Sequence, residues 1–122
     1  MMTSLSFTKI VYAIDTWNTT RQPAVSNSFR VSSPSNTYPS AIFWAKEAFQ
    51  ASLRQAKYVK SGNWNDLGTL LLGNAAMTLA EEQTHFALWA FAKSPLFLSV
   101  DFPTLKPEVV QIATNQQLIA LN

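Results

Sequence analysis

A chain of 122 residues, 48% hydrophobic and 13% charged, is long enough for one domain with a real core; at this size about two thirds of the unfolded surface is buried on folding. The net charge of +2 is small and its basic residues are scattered, so no basic stripe interleaved with aromatics points to nucleic acid. The lack of cysteine removes disulfides, thiolate nucleophiles and Cys-based metal sites together, and one histidine cannot build a zinc site alone.

No apolar run approaches the roughly 18 residues a membrane span requires. Met1 to Lys9 lacks a basic region followed by an apolar stretch, so no secretory signal is expected and no compartment follows. Asn18-Thr19-Thr20 is a glycosylation sequon that matters only in a secreted chain.

In chain order, Lys9 to Ile14 (KIVYAI) is a short β-branched apolar run bounded by Asp15 and reads as a buried strand. Ser26 to Ser32 (SNSFRVS) reads as a second short strand, and Ser33 to Pro39, with two prolines, as a loop. Ser40 caps a helix predicted over Ala41 to Val59. Its apolar face is Ile42, Ala45, Phe49, Leu53 and Ala56, and its wet face Lys46, Gln50, Arg54 and Lys57. Leu70 to Leu72 reads as a short buried strand ending at Gly73-Asn74.

Thr78-Leu79-Ala80-Glu81 is a capping box opening a helix that runs to about Lys93 and stops before Pro95. Leu96 to Val100 (LFLSV) reads as the clearest strand and ends at Asp101. Lys106 to Thr114 reads as one more amphipathic helix, with Pro107 in its first turn. Strands alternating with helices predict an α/β fold of parallel β/α units.

In such folds the chemistry sits on loops at the carboxyl ends of strands. Asp15, Asp66 and Asp101 all fall in or near such places, and each equally suits a turn or a cap. His85, beside Phe86 and Trp89, reads as a hydrogen-bonded packing residue rather than an acid or base. Trp17 and Trp64, read as lying in loops after strands, could offer aromatic faces to a sugar or simply close a barrel.

The stretch "WNDLGTLLLGNAAMTLAEEQTHFALWAFAKSPLFLSVDF" resembles the late part of the catalytic barrel of α-galactosidases of glycoside hydrolase family 27, the melibiases, whose pattern runs "WND.D.L..GN..MT..EE..HF.LWA..KSPL....D". The upstream segments agree in order. "IVYAIDTW" resembles the family's "YSL..W", "SNSFRVS" resembles "NSWR" with Phe29 for the tryptophan and Arg30 retained, and "NQQLIALN" resembles the segment after the last barrel helix.

The resemblance implies hydrolysis of terminal non-reducing α-D-galactosyl residues. Retaining glycosidases do this with two carboxylates about 5–5.5 Å apart, one a nucleophile and one an acid/base. The family's nucleophile lies in a "K.D.C" motif that this chain lacks. Its acid/base falls four residues after the "SWR" arginine, and here that residue is Pro34. Asp66 matches the first Asp of "WND.D", which shapes the galactose pocket. The second Asp, a sugar contact, is replaced by Gly68. Arg30 matches a sugar-contacting arginine, and Trp17 the tryptophan after its own strand, with a threonine at position 16.

The expectation is therefore a partial (β/α)8 barrel, about four carboxyl-terminal β/α units with parallel strands, as a single partial domain over residues 1–122. The substrate-binding residues are Arg30, Trp17 and Asp66, with no catalytic residue, metal or cofactor. Such a chain would be a fragment or degenerate copy of an α-galactosidase-like enzyme, not competent alone. The alternative is a non-catalytic carbohydrate-binding or interaction protein using the remaining pocket wall. The expected partners are galactose or an α-galactoside and a second copy of the chain, paired through the strand edges of Lys9 to Ile14 and Leu96 to Val100; no nucleic acid and no membrane are expected.

Overall fold

The computed structural model describes residues 12–13, 27–32, 39–73 and 77–122. Three short strands, β1 (Tyr12–Ala13), β2 (Ser28–Arg30) and β3 (Trp64–Asp66), form a parallel sheet in the order β1-β2-β3. Tyr12 pairs with Ser28, and Ser28, Phe29 and Arg30 pair with Trp64, Asn65 and Asp66. Register partners share a face, so Phe29 and Asn65 lie on one side of the sheet and Arg30 and Asp66 on the other. The side of Phe29 is the packed one: its ring is buried, and Asn65 Nδ2 donates to the Ser52 carbonyl at 3.0 Å.

That carbonyl belongs to α1 (Ala41–Gln55), which crosses over between β2 and β3. Ser40 caps it as expected: the Phe43 N–H donates to Ser40 Oγ at 3.3 Å. The helix ends sooner than predicted, tightening into a 3-10 turn at Ala56–Tyr58. Its buried residues are Trp44, Ala45, Ala48 and Ser52, whereas Leu53 is 58% exposed. The buried stripe is therefore turned from the predicted Ile42–Ala56 face. The reason is Trp44, whose ring meets the rings of His85 and Trp89 on the next helix.

The next helix, α2 (Leu79–Phe91), opens with the predicted capping box. The Glu81 N–H donates to Thr78 Oγ1 at 3.3 Å, and the Thr78 N–H donates to Glu81 Oε2 at 2.8 Å. These bonds, the backbone one first, hold the Glu81 carboxyl below its ordinary pKa. The helix closes at Ala92 with Lys93 in the left-handed region (φ 53°), and the Ser94 N–H then donates back to the Trp89 carbonyl. At the end of the helix Phe86, Trp89 and Ala90 are buried, whereas Phe91 is 66% exposed.

Two predicted strands are corrected. Leu70–Leu72 and Leu96–Val100 meet in a single parallel bridge, Leu70 with Leu98. Gly68 (φ 101°) and Gly73 (φ 75°) take left-handed backbone on either side of Leu70 to Leu72, and the pairing with Leu96 to Val100 does not extend beyond that bridge. The strand lies upstream instead, at Trp64–Asp66, where the sequence pattern predicts none. Asn and Asp are depleted in strands, and their presence hid this one.

A 3-10 turn at Phe102–Thr104 leads to α3 (Pro107–Ala113), close to its predicted bounds and with Pro107 in its first turn. A short α4 (Gln116–Leu121) follows, capped by Asn115 Oδ1, which accepts from Gln117 and Leu118 N–H. The core gathers Trp44, Ala45, Ala48, Leu67, Leu70, Leu72, Phe86, Trp89, Val109 and Ile112 between the helices and the sheet.

Candidate functional site

Arg30 ends β2 and Asp66 ends β3, on the face of the sheet turned away from α1. Carboxyl ends of adjacent parallel strands are where side chains reach past the sheet to a ligand. Directly after Asp66 the chain turns sharply. Asp66 Oδ1 accepts the Gly68 N–H at 2.7 Å, a local side-chain-to-backbone turn. The turn needs the positive φ of Gly68, which a side chain opposes.

The 66–68 turn is held from three directions. The Leu67 N–H donates to Ser94 Oγ at 3.0 Å, and Ser32 Oγ donates to the Leu67 carbonyl at 2.7 Å. The Trp89 Nε1–H donates to the Gly68 carbonyl at 2.6 Å. Arg30 joins the same network through its Nε, which donates to Ser32 Oγ at 3.0 Å. Its guanidinium lies over Gly68: a Cβ built on that glycine would meet Arg30 Nη2 at 2.5 Å and Cζ at 2.8 Å. Asp66 is only 6% exposed.

Of the residues the sequence singles out, the structure brings Arg30 and Asp66 together. Asp15, Thr16, Trp17 and Pro34 lie outside the described residues. Trp64 is not in a loop after a strand. It begins β3, at the amino end, and lines a cavity of about 660 Å³ with Leu53, Val59 and Phe91. Asp101 is exposed, and its carbonyl accepts from the N–H and the hydroxyl of Thr104, which makes it a turn residue.

His85 is a packing residue, as expected, but not a hydrogen-bonded one. It is fully buried between Trp44 and Trp89, with ring centroids 5.8 and 4.1 Å away, and neither ring nitrogen has a hydrogen-bond partner among the described residues. Burial pushes its pKa down to about 4, so the ring is neutral.

The residues sequence reasoning missed are Ser32, Ser94 and Trp89. Ser94 and Trp89 stand in the motif that carries the resemblance, but nothing in their spacing reveals partners 21 to 27 residues away. Among the described residues no group of three His, Cys, Asp or Glu side chains could hold a metal ion, and no helix is long and apolar enough to cross a membrane.

A family model described as alpha galactosidase A, of the melibiase type, matches residues 13–122. The chain is similar to α-galactosidase D of Emericella nidulans, with 33% identity over 101 residues, or 82% of this chain and 15% of that protein. It is also similar to an α-galactosidase of Schizosaccharomyces pombe, with 40% identity over 73 residues, or 60% of this chain and 17% of that protein. The chain thus spans about one sixth of the length of these relatives.

Among solved structures, the α-galactosidase of Saccharomyces cerevisiae with raffinose superimposes with a TM-score of 0.72 at 24% identity, over 85% of this chain and 27% of that one. This likeness is one of fold, and the α-galactosidase neighbours have TIM barrels. With its motif, its parallel sheet and these relatives in agreement, the chain belongs to the α-galactosidases of glycoside hydrolase family 27.

Proposed function

We propose that residues 1–122 act as one domain, supplying about four β/α units of a (β/α)8 barrel, and that they form a wall of a pocket for a terminal α-galactosyl residue. The observation that carries this reading is the register of Arg30 against Asp66 at the carboxyl ends of two adjacent parallel strands. Asp66 shapes the 66–68 turn, and Arg30 faces the sugar. Trp17, outside the described residues, completes the sugar-facing set by its match to the family's tryptophan. The raffinose held by the yeast neighbour is in keeping with a galactoside as ligand.

The reaction class of the family is hydrolysis of an α-galactoside by two carboxylates. This chain contributes neither: Pro34 stands where the acid/base belongs, and a proline has no proton to give. Asp66 Oδ1 is committed to the Gly68 amide. Binding without catalysis is the second reading, favoured by the retention of Arg30 and Asp66 around that proline.

β1 lies at one edge of the sheet, and a second copy pairing along it is part of the proposal. Leu96–Val100 is not a second such edge, since only Leu98 is bridged.

Assay of the purified chain on a nitrophenyl α-galactoside tests the catalytic assignment. General acid–base help alone is worth about 10²- to 10⁴-fold, so turnover at background is expected. Turnover that Asp66→Asn abolishes would overturn the assignment and make Asp66 a catalytic carboxylate.

A further inference from the structure

At the amino end of β3, away from Arg30 and Asp66, Trp64 borders the cavity of about 660 Å³ between the close of α1, the 3-10 turn after it and the carboxyl end of α2. That volume lies within the usual range for small-molecule sites, about 300–1,000 Å³. Its walls are mainly apolar, with the aromatic residues Phe49, Trp64 and Phe91 among them, and Leu53, Trp64 and Phe91 are exposed. Aromatic walls favour an aromatic ring, which they meet by stacking or edge-to-face contact.

Asn65 lines the cavity and is only 2% exposed, so it stands at the floor. Its Nδ2 donates to the Ser52 carbonyl at 3.0 Å, which fixes the other amide atom as the oxygen. That Oδ1 is buried and has no hydrogen-bond partner among the described residues. The nearby Ser52 hydroxyl is already committed, donating to the Phe49 carbonyl at 2.7 Å. A buried acceptor without a donor is costly, and a ligand that brings an O–H or N–H to it recovers that cost.

The charges of the lining are of one sign. Lys60 and Lys93 belong to it and no carboxylate does. The Lys93 ammonium donates to the carbonyls of Leu121 and Asn122, whereas that of Lys60 has no hydrogen bond or ion pair among the described residues.

We propose that this cavity binds a small aromatic acid. The ring lies among Phe49, Trp64 and Phe91, a hydroxyl or ring N–H on it donates to Asn65 Oδ1, and its carboxylate meets Lys60. The site stands at the opposite end of the strands from the sugar wall, so the two readings stand or fall separately.

Titration of the full chain with 4-hydroxyphenylacetate, followed by NMR at the tryptophan indole signals, tests it. The indole signal that Trp64→Phe removes is expected to shift. Phenylacetate, which lacks the donor, should bind about tenfold or more weakly, the usual worth of a bond to a buried group otherwise left unmade. Tyramine, with an ammonium in place of the carboxylate, should not compete. Lys60→Gln changes one exposed side chain and should weaken 4-hydroxyphenylacetate about two- to fivefold, the usual worth of an exposed ion pair; unchanged indole dispersion verifies that this variant is folded. No shift of the Trp64 signal would overturn the inference. So would phenylacetate or tyramine bound as tightly as 4-hydroxyphenylacetate, or an affinity that Lys60→Gln leaves unchanged.

Discussion

Arg30 and Gly68 are fitted to each other: the guanidinium occupies the space a side chain at position 68 would need, with Nη2 2.5 Å from an ideal Cβ. Gly68 is also held at φ 101°. Gly68→Ala should therefore meet two penalties, one of backbone strain, typically about 1–3 kcal/mol, and one of collision. Arg30→Ala relieves only the second. A double-mutant cycle read by urea denaturation should show the Gly68→Ala loss shrinking in the Arg30→Ala background. Strict additivity would mean that Arg30 simply moves aside and that the fit is not specific.

The 66–68 turn depends on bonds from distant residues. Trp89→Phe keeps the ring in the core but strips the donor from the Gly68 carbonyl, now bound at 2.6 Å. A buried acceptor left without its partner is worth about 1–3 kcal/mol. Ser94→Ala should do the same to the buried Leu67 N–H. Both variants should melt earlier, and both should also disturb the NMR signals of Arg30 and Asp66, which a general loss of core packing would not single out.

The α2 capping box gives a local test. Thr78→Ala removes the acceptor of the Glu81 N–H and a partner of the Glu81 carboxylate. A lost cap is worth about 0.5–2 kcal/mol. The expected loss falls within that range, with amide exchange faster in the first turn of α2 and unchanged in α1. Equal acceleration in both helices would show that the cap governs the whole core rather than one helix end.

What the sequence made legible was local. Ser40 and Thr78 announce their helices because capping is chemistry among neighbours, and Pro107 marks the start of α3 for the same reason. β3 was illegible because Trp64, Asn65 and Asp66 are extended by pairing with β2, not by their own preference. Leu70–Leu72 misled in the opposite way: three leucines read as a strand, but between the left-handed glycines at 68 and 73 only Leu70 is bridged.

The site follows the same division. Arg30 and Asp66 came from a motif match, and the structure adds that they are register partners. The bonds from Ser32, Ser94 and Trp89 join segments far apart in the chain, and only the folded core brings them to the turn.

The buried histidine predicts a pH dependence. His85 lies against Trp44 and Trp89, neither of which titrates, and its ring nitrogens have no partner among the described residues. Desolvation holds its folded pKa at about 4, below the ordinary value of 6.5. In the unfolded chain the ring binds its proton near pH 6.5, so between these values the unfolded state carries more protons and stability rises with pH. The contribution is full above pH 6.5 and is lost progressively as the pH falls toward 4, by roughly 3 kcal/mol in all. Carboxylates titrate mainly below pH 5, so the window from 7 to 5 isolates the histidine. His85→Phe should flatten the stability curve across that window, and it should not weaken the fold at pH 7, because it removes two buried polar atoms that have no partner there. Urea midpoints at pH 7, 6 and 5 for the two proteins decide it. An equal slope in both would place the acid sensitivity elsewhere, and a large loss at pH 7 would show that the imidazole makes a bond the fold needs.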